Sequence, residues 1–374
     1  MKIIQEIIRK PADLGSKLAT LNTQESNLLL AFGSVEHFSA PGFAEALRTA
    51  FPQAILFGCT TAGEITAAGV DDGTCTLTAI HFDKIVARCA TTQLGEMEDS
   101  FSAGQRLGEQ LAAPDLKAVL LFGPGVQING SALVNGLSSR LGSELPITGG
   151  LAGDGGAFRQ TFTLSPDGVS DRIIVAVGLH GDALRLGHGS FGGWEAFGPA
   201  RKVTRCTGNV LFELDGEPAL DVYKRYLGEH AANLPASGLL FPFAMLGEEH
   251  NSIGLIRTIL GIDEVAGSLT LAGEIVANGY LKLMHSSTEK LVNGAETAAR
   301  SATNGQLAIL VSCVGRKLVM GDRVDEEVEA VSEVFGKEAV LTGFYSYGEI
   351  SPFAPAAACR LHNQTMTITS LSEA

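Results

Sequence analysis

The stretch that decides the fold is Gly58-Cys-Thr-Thr-Ala-Gly-Glu-Ile65, which has a close variant near the other end of the chain, Gly343-Phe-Tyr-Ser-Tyr-Gly-Glu-Ile350. Glycine, a hydroxyl residue, a second glycine, glutamate and isoleucine recur at the same offsets. A looser version, Thr148-Gly-Gly-Leu-Ala-Gly-Asp154, keeps a small residue, a glycine and an acid in the same order. We therefore expect the function of the protein to lie at these three loops.

The same order of elements leads into each loop. Before the first loop, the apolar run 28–32 is followed by apolar residues at helical spacing in 43–51 and by a second apolar run, 54–57. The order returns before the second loop and before the third. A strand, a helix and a strand in succession favour parallel pairing of the two strands, and shorter connections favour antiparallel returns. The sequence therefore predicts an α/β fold of two related domains with mixed parallel and antiparallel sheets and internal strand-helix-strand repeats.

The length of the chain predicts more than one domain. Its 374 residues exceed what a single hydrophobic core comfortably supports. Glycine and proline cluster around the only tryptophan in the segment 192–199. We expect the boundary there, with an N-terminal domain over residues 1–195 and a C-terminal domain over residues 196–374.

Charge and composition argue against several classes of function. The formal net charge is −14 and no cluster of Lys and Arg is present, so we expect no nucleic-acid partner. No apolar run approaches the roughly 18 residues that a membrane helix needs, so we expect no membrane association. Six cysteines without a Cys-x-x-Cys pair favour reduced thiols, and the charged start of the chain does not resemble a signal peptide. We therefore expect a cytoplasmic protein, with no cofactor and no bound metal.

The three loops could line one ligand site, because each follows the carboxyl end of a predicted strand. Gly63, Gly153 and Gly348 would let backbone amides approach a ligand, and the acid after each glycine would supply charge. An alternative stays open, in which the glycines take positive φ in a recurring turn and the acids bond their own backbone. A fourth match, Ala272-Gly-Glu-Ile275, falls within a predicted antiparallel strand, and we interpret it as coincidence.

Seven motifs together carry a family resemblance: Gly58–Ile65, Pro146-Ile-Thr-Gly-Gly-Leu-Ala-Gly-Asp154, Gly193-Trp-Glu-Ala-Phe-Gly-Pro199, Ala219-Leu-Asp-Val-Tyr223, Ile256-Arg257, Gly343–Ile350 and Leu361-His-Asn-Gln-Thr365. They resemble the FIST family, in which an N-terminal FIST domain precedes a C-terminal one, and the likeness runs from about residue 27 to residue 370. The resemblance implies an intracellular sensory protein of signal transduction that binds small ligands, amino acids among them. Members are usually fused to a signalling output, for which this chain leaves no residues. We therefore expect a separate output protein as its partner.

An amino acid carries an ammonium group and a carboxylate, so its site needs acids for one and a fork-shaped donor for the other. Glu64, Asp154 and Glu349 could bind the ammonium group. Arg257, on a mostly apolar strand, could bind the carboxylate, although a surface arginine without a ligand is also consistent with its position. Two tyrosines of the third loop could add an aromatic wall. The predicted ligand residues are Cys59, Thr60, Thr61, Gly63, Glu64, Gly149, Gly150, Asp154, Arg257, Tyr345, Ser346, Tyr347, Gly348, Glu349 and Asn363.

Two other classes of function stay open. An enzyme could use Cys59 as a nucleophile with His362 as its base, or the carboxylates of Glu64 and Glu349 for acid–base chemistry. The cysteine does not recur in the other two loops, which favours a small buried thiol. The remaining class is a protein-interaction scaffold.

Overall fold

The computed structural model describes residues 1–302, 305–352 and 358–374. The chain is an α/β protein with mixed parallel and antiparallel sheets. Three units of similar element order follow one another, and a further segment is inserted into the third.

The first unit, residues 2–81, consists of β1 (Lys2–Ile8), α1 (Leu14–Leu21), β2 (Leu28–Gly33), α2 (Val35–Phe38), α3 (Phe43–Ala50), β3 (Ile55–Thr60), β4 (Glu64–Thr66), β5 (Gly69–Asp71) and β6 (Cys75–His81). The second unit, residues 86–180, consists of β7 (Val86–Gln93), α4 (Ser100–Leu111), β8 (Leu116–Gly123), α5 (Gly130–Leu141), β9 (Ile147–Leu151), β10 (Thr163–Ser165), β11 (Gly168–Ser170) and β12 (Ile173–His180).

The third unit begins with β13 (Leu184–Phe191). The inserted segment, residues 195–285, then contributes β14 (Glu195–Thr207), β15 (Val210–Leu214), β16 (Glu217–Pro218), α6 (Ala219–Leu227), β17 (Phe243–Leu246), β18 (Ser252–Arg257), β19 (Ile259–Asp263), β20 (Ser268–Leu271) and β21 (Tyr280–His285). The unit resumes with α7 (Thr288–Ser301), β22 (Leu307–Cys313), α8 (Val314–Met320), α9 (Asp325–Phe335), β23 (Val340–Ser346), β24 (Gly348–Pro352), β25 (Cys359–His362) and β26 (Met366–Glu373). Short 3-10 helices lie at Pro11–Asp13, Met97–Asp99, Gly228–Asn233, Ala236–Leu239 and Gly321–Arg323.

The three units exchange hairpins between their sheets. The first sheet has the order β1-β6-β2-β3 and is extended by hairpin β10–β11 of the second unit. The second has the order β7-β12-β8-β9 and is extended by β24–β25 of the third unit, and the third has the order β13-β26-β22-β23 and is extended by β4–β5 of the first. Each unit therefore completes the sheet of another unit, in a closed cycle. The inserted segment forms a fourth sheet, in the order β18-β17-β21-β14-β15-β20-β19.

A phenylalanine cluster joins the three exchanged sheets. It consists of Phe32, Phe57, Phe122 and Phe344, all buried, with ring centroids of contacting pairs 4.4 to 5.5 Å apart. Burial of a side chain of this size stabilises a fold by roughly 1.5–3 kcal/mol. The same cluster continues into β12 and β26, so a single core holds the units together.

Glycine is required at one equivalent position of each central strand pair. Gly58, Gly149 and Gly343 stand opposite Ala31, Leu121 and Leu310 in the parallel pairs β2–β3, β8–β9 and β22–β23. A Cβ atom on any of the three glycines would lie 1.9 to 2.0 Å from the partner's carbonyl oxygen. The first glycine of the repeated motif therefore permits a close approach of two strands.

The predicted α/β class, the mixed sheets and the parallel strand-helix-strand pairs are confirmed. The predicted division between residues 195 and 196 falls at the start of β14 and stays a prediction. Hairpin β4–β5, which precedes this division, pairs with β23, which follows it. Within the described residues, the helices lack the length and apolarity that a membrane crossing requires.

Candidate functional site

The three motif loops lie together at the ends of β3, β9 and β23. The first loop is 61–63, the second is 152–162, and the third is the single residue Tyr347. Backbone hydrogen bonds join each pair of loops: Gly153 N to Thr60 O at 2.8 Å, Ala62 N to Tyr345 O at 2.8 Å, and Tyr347 N to Leu151 O at 3.1 Å. The exchanged hairpins bring the loops into contact, because each loop leads its chain out of one sheet and into the next.

The carboxylate of Glu64 is buried within its own unit. Its side chain is 1% exposed, and one oxygen accepts a hydrogen bond from the hydroxyl of Thr61. The other oxygen accepts from Thr74 Oγ1 at 2.7 Å and Thr74 N at 2.9 Å. Burial raises the pKa of Glu64 to about 7, against the opposite effect of these hydrogen bonds. The acid therefore ties the first loop to the residue that precedes β6.

Glu349 repeats the arrangement of Glu64 in the third unit. The hydroxyl of Ser346 donates to its carboxylate at 2.7 Å, and Thr365 donates through its N–H at 3.1 Å and its hydroxyl at 3.0 Å. Burial again raises the pKa of this carboxyl group to about 7. Each acid thus accepts one backbone N–H group of its own unit, as the alternative interpretation expects, together with two side-chain hydroxyl groups. The positive φ of that alternative occurs at Gly63 but not at Gly153 or Gly348.

The looser motif predicts that Asp154 occupies the position of the two glutamates. Asp154 does not lie at that position. Hairpin β10–β11 begins at Thr163, which pairs with Cys59 in the way that Glu64 pairs with Phe344. The second loop is longer than the other two, so the residue after its glycine lies within the loop and not at the start of the hairpin.

Asp154 instead organises the second loop. Its carboxylate accepts the backbone N–H groups of Phe158, Arg159 and Gln160 at 2.7 to 3.0 Å, together with the hydroxyl of Tyr347. Burial acts to raise the pKa of Asp154, but these hydrogen bonds outweigh it and lower the pKa below its usual range. The loop is therefore held by an ionised side chain.

The tyrosines of the third unit do not form one aromatic wall. Tyr347 stacks on Phe158 with ring centroids 4.0 Å apart. Tyr345 is fully buried, and its hydroxyl donates to Glu327. The two tyrosines therefore contact different parts of the chain, Phe158 in one case and Glu327 in the other.

A buried ion pair that the sequence did not predict lies next to the hydroxyl group of Tyr345. Arg316 and Glu327 are both 0% exposed and are joined at 2.7 Å. Ser312 donates to the same carboxylate at 2.9 Å. Arg316 also donates to two backbone oxygens that flank the inserted segment, Gly192 O before it and Leu291 O after it. A glutamate within the apolar stripe of α9 is the signal that could have revealed the pair.

The cysteine and histidine of the enzyme hypothesis do not have the properties of an activated pair. Cys59 is fully buried, and burial raises the pKa of its thiol well above the usual range. An activated thiol needs a lowered pKa. His362 is also buried, its Nε2 lies 2.9 Å from Ser351 O, and burial lowers its pKa to about 4.

Arg257 lies at a cavity of about 360 Å³ between α5, β25 and the inserted segment. Its side chain is 3% exposed. Nη1 donates to Leu361 O at 3.1 Å and Ile256 O at 3.3 Å, and Nε donates to Glu274 O at 3.4 Å. Within residues 1–302, 305–352 and 358–374, Nη2 has no hydrogen-bond partner and the guanidinium group has no carboxylate partner. Burial lowers the pKa of Arg257 to about 10.

The segment Ala272–Ile275, the fourth match to the repeated motif, lies next to Arg257. It lies in the loop after β20, not in the predicted strand. A Cβ atom on Gly273 would lie 2.8 Å from the Nε atom of Arg257, so glycine leaves room for the guanidinium group. Glu274 lines the cavity. The sequence alone does not reveal this cavity, because its other walls come from distant parts of the chain.

The predicted ligand residues thus separate into two groups. Those of the three loops lie together and are closed off by their own hydrogen bonds. Arg257 lies apart from the loops. It contacts β25, the strand that pairs with β24 after the third loop. Asn363 follows β25 and is buried, and its side-chain oxygen accepts no hydrogen bond from the described part of the chain.

Comparison with known proteins identifies the family. The FIST N domain matches residues 27–217, and the FIST C domain matches residues 219–352. The chain belongs to the FIST family. FIST domains are associated with sensory and signal-transduction roles, and the resemblance predicted from the motifs is confirmed.

Two further proteins are similar to this FIST protein. The uncharacterized protein MJ1623 of Methanocaldococcus jannaschii is 27% identical in an alignment 245 residues long that covers 56% of this chain and 46% of that relative. The matched part therefore spans about half of the relative's length. A cyanuric acid hydrolase from A. caulinodans aligns with 100% of this chain and 99% of its own at 11% identity and a TM-score of 0.39, a likeness too low to bear on function.

Proposed function

We propose that this FIST protein is a sensory protein that binds a small carboxylate ligand, such as an amino acid, in the cavity beside Arg257 and reports it to a separate signalling protein. The observation that carries the proposal is the guanidinium group of Arg257, which is buried at a cavity wall without a carboxylate partner in the described residues. The cytoplasmic location expected from the sequence belongs to the same proposal.

A buried arginine without a carboxylate in direct contact is costly, because three backbone carbonyls replace only part of its hydration. A ligand carboxylate would supply the missing negative charge and could accept a charge-assisted hydrogen bond from Nη2, the guanidinium nitrogen that has no partner in the described residues. A volume of about 360 Å³ falls within the range of about 300 to 1,000 Å³ that is usual for small-molecule pockets.

The walls of the cavity suit a sensor, because they come from both predicted domains. Ser131 and Asn135 of α5 belong to the N-terminal domain, and Arg257, Glu274 and Arg360 belong to the C-terminal one. A ligand in contact with both walls would stabilise one arrangement of the two domains.

A chain of contacts leads from the cavity to the three loops. Thr258, the neighbour of Arg257, accepts a hydrogen bond from Gln364 Nε2 at 3.1 Å, and Gln364 precedes the threonine that binds Glu349. We keep the predicted loop residues in the proposal as the part of the molecule that responds to the ligand. Their direct contact with a ligand would require the loops to separate.

A thermal shift assay with the standard amino acids at millimolar concentration tests the proposal. A ligand at 100 times its Kd adds about 2.7 kcal/mol of stability, which is several degrees in Tm. Arg257→Lys keeps the positive charge but loses the planar guanidinium group and its Nη2 donor, so it should reduce the shift, whereas Arg88→Lys on the exposed face of β7 should not. Asn135→Trp, at an exposed position of α5, should remove the shift by filling the cavity. A panel without any stabilising compound, or a shift that survives both cavity variants, would refute the proposal.

A further inference from the structure

The cavity beside Arg257 has an unbalanced set of charged side chains. Of the described residues that line it, Arg257, Arg360 and Glu274 are charged, so its wall carries one positive charge in excess. Neither Arg360 nor Glu274 forms an ion pair with another described residue. The two act on Arg257 in opposite directions, since Glu274 raises its pKa and Arg360 lowers it. Arg257 is therefore within electrostatic reach of both Glu274 and Arg360, which are exposed and form no ion pair with another described residue.

A neutral polar group of the cavity also lacks a partner. The hydroxyl oxygen of Ser131 is buried at the wall and has no hydrogen bond to any described residue. Asn135 lies one helical turn further along the same face of α5 and also lines the cavity. Buried polar atoms are usually satisfied, so this hydroxyl group favours a polar occupant.

The charges match one class of amino acid better than the others. The α-carboxylate of any amino acid would pair with Arg257 and its ammonium group with Glu274, which leaves Arg360 without a partner. A second carboxylate on the side chain would pair with Arg360, and the ligand's net charge of −1 would balance the excess positive charge of the wall. An amide in place of that carboxylate presents donors as well as an acceptor to a group that can only donate.

We infer that the ligand is an acidic amino acid, aspartate or glutamate, and that Arg360 is the residue that distinguishes it from its amide. The inference rests on the proposed function, because it concerns the same cavity. It assigns Arg257 to the α-carboxylate, Glu274 to the ammonium group, Arg360 to the side-chain carboxylate, and Ser131 with Asn135 to the remaining polar contacts.

Isothermal titration calorimetry with glutamate, glutamine, aspartate and asparagine tests the role of Arg360. We expect one of the acids to bind at least about tenfold more tightly than its amide, as for a hydrogen bond between charged groups. Arg360→Gln should bring the two affinities to within about twofold of each other. Arg88→Gln, an exposed arginine outside the cavity, should leave the ratio unchanged.

Glutarate, a dicarboxylate without an ammonium group, tests the role of Glu274 in the same assay. Glu274→Gln should weaken glutamate but not glutarate, and Glu249→Gln, at an exposed position outside the cavity, should change neither. Equal affinity for acid and amide, or a preference that survives Arg360→Gln, would overturn this inference and leave the proposed function standing. Absence of binding by every amino acid would overturn both.

Discussion

The replacement Glu64→Gln should change how the stability of the protein depends on pH. Burial raises the pKa of this carboxyl group from 4.5 to about 7 in the folded state. Between these two values the folded protein holds a proton that the unfolded chain has lost, so the free energy of unfolding falls as the pH rises. A difference of about 2.5 pKa units corresponds to roughly 3 kcal/mol at about 1.4 kcal/mol per unit. The glutamine variant lacks this contribution.

Urea unfolding of both proteins from about pH 4.5 to about pH 8 measures the effect. The free energy of unfolding of the wild type should fall by roughly 3 kcal/mol relative to Glu64→Gln across this range. Asp154→Asn is the matched control, because the pKa of Asp154 is lowered and its contribution is lost only as the pH falls through its folded-state pKa. A difference that does not vary with pH would refute the reasoning, since Thr61 and Thr74 would then hold Glu64 ionised throughout.

Two further predictions concern the framework around the loops. Arg316→Met should lower the free energy of unfolding in urea by roughly 3–5 kcal/mol, because it leaves the carboxylate of Glu327 buried without a cation. Adding Glu327→Leu should recover most of this loss. A single variant as stable as the wild type would contradict this account. Gly58→Ala should lower the free energy of unfolding by about 1–3 kcal/mol, because its Cβ atom would lie 1.9 Å from a carbonyl oxygen. Gly15→Ala, in open space on α1, should be neutral or raise the free energy of unfolding by about 0.5–1 kcal/mol. Equal effects of the two alanine variants in thermal unfolding would argue against a close strand approach.

Local patterns in the sequence were sufficient to predict the two parallel strands at the centre of each unit and a helix between them. Short apolar runs with helical stripes between them depend on neighbouring residues only, and the structure contains them where the patterns lie. The partners of the hairpins could not be predicted in this way. Strand β4 pairs with β23, more than 270 residues away, and no short stretch records that choice. Consequently the burial of Glu64 and Glu349 could not be predicted either.

The candidate site was predictable only where a single residue broke a local pattern. Arg257 interrupts an apolar strand and was recognised for that reason. Glu274 and Arg360 lie in surroundings where a charge is ordinary, and only the folded chain brings them to the same cavity. Asp154 was misplaced because sequence order suggests equivalence even when one loop is longer than the others.

The exchange of hairpins has a consequence for how this chain can be made and divided. The second sheet lacks its last two strands until residue 362 has been synthesised, and the third sheet includes strands that were synthesised before residue 72. Nearly the whole chain must therefore be synthesised before either of these two sheets can be completed. A fragment cut at residue 195 would carry one open sheet edge at β9, and hairpin β4–β5 and strand β13 would lack their sheet, so all three would be free to pair with other chains.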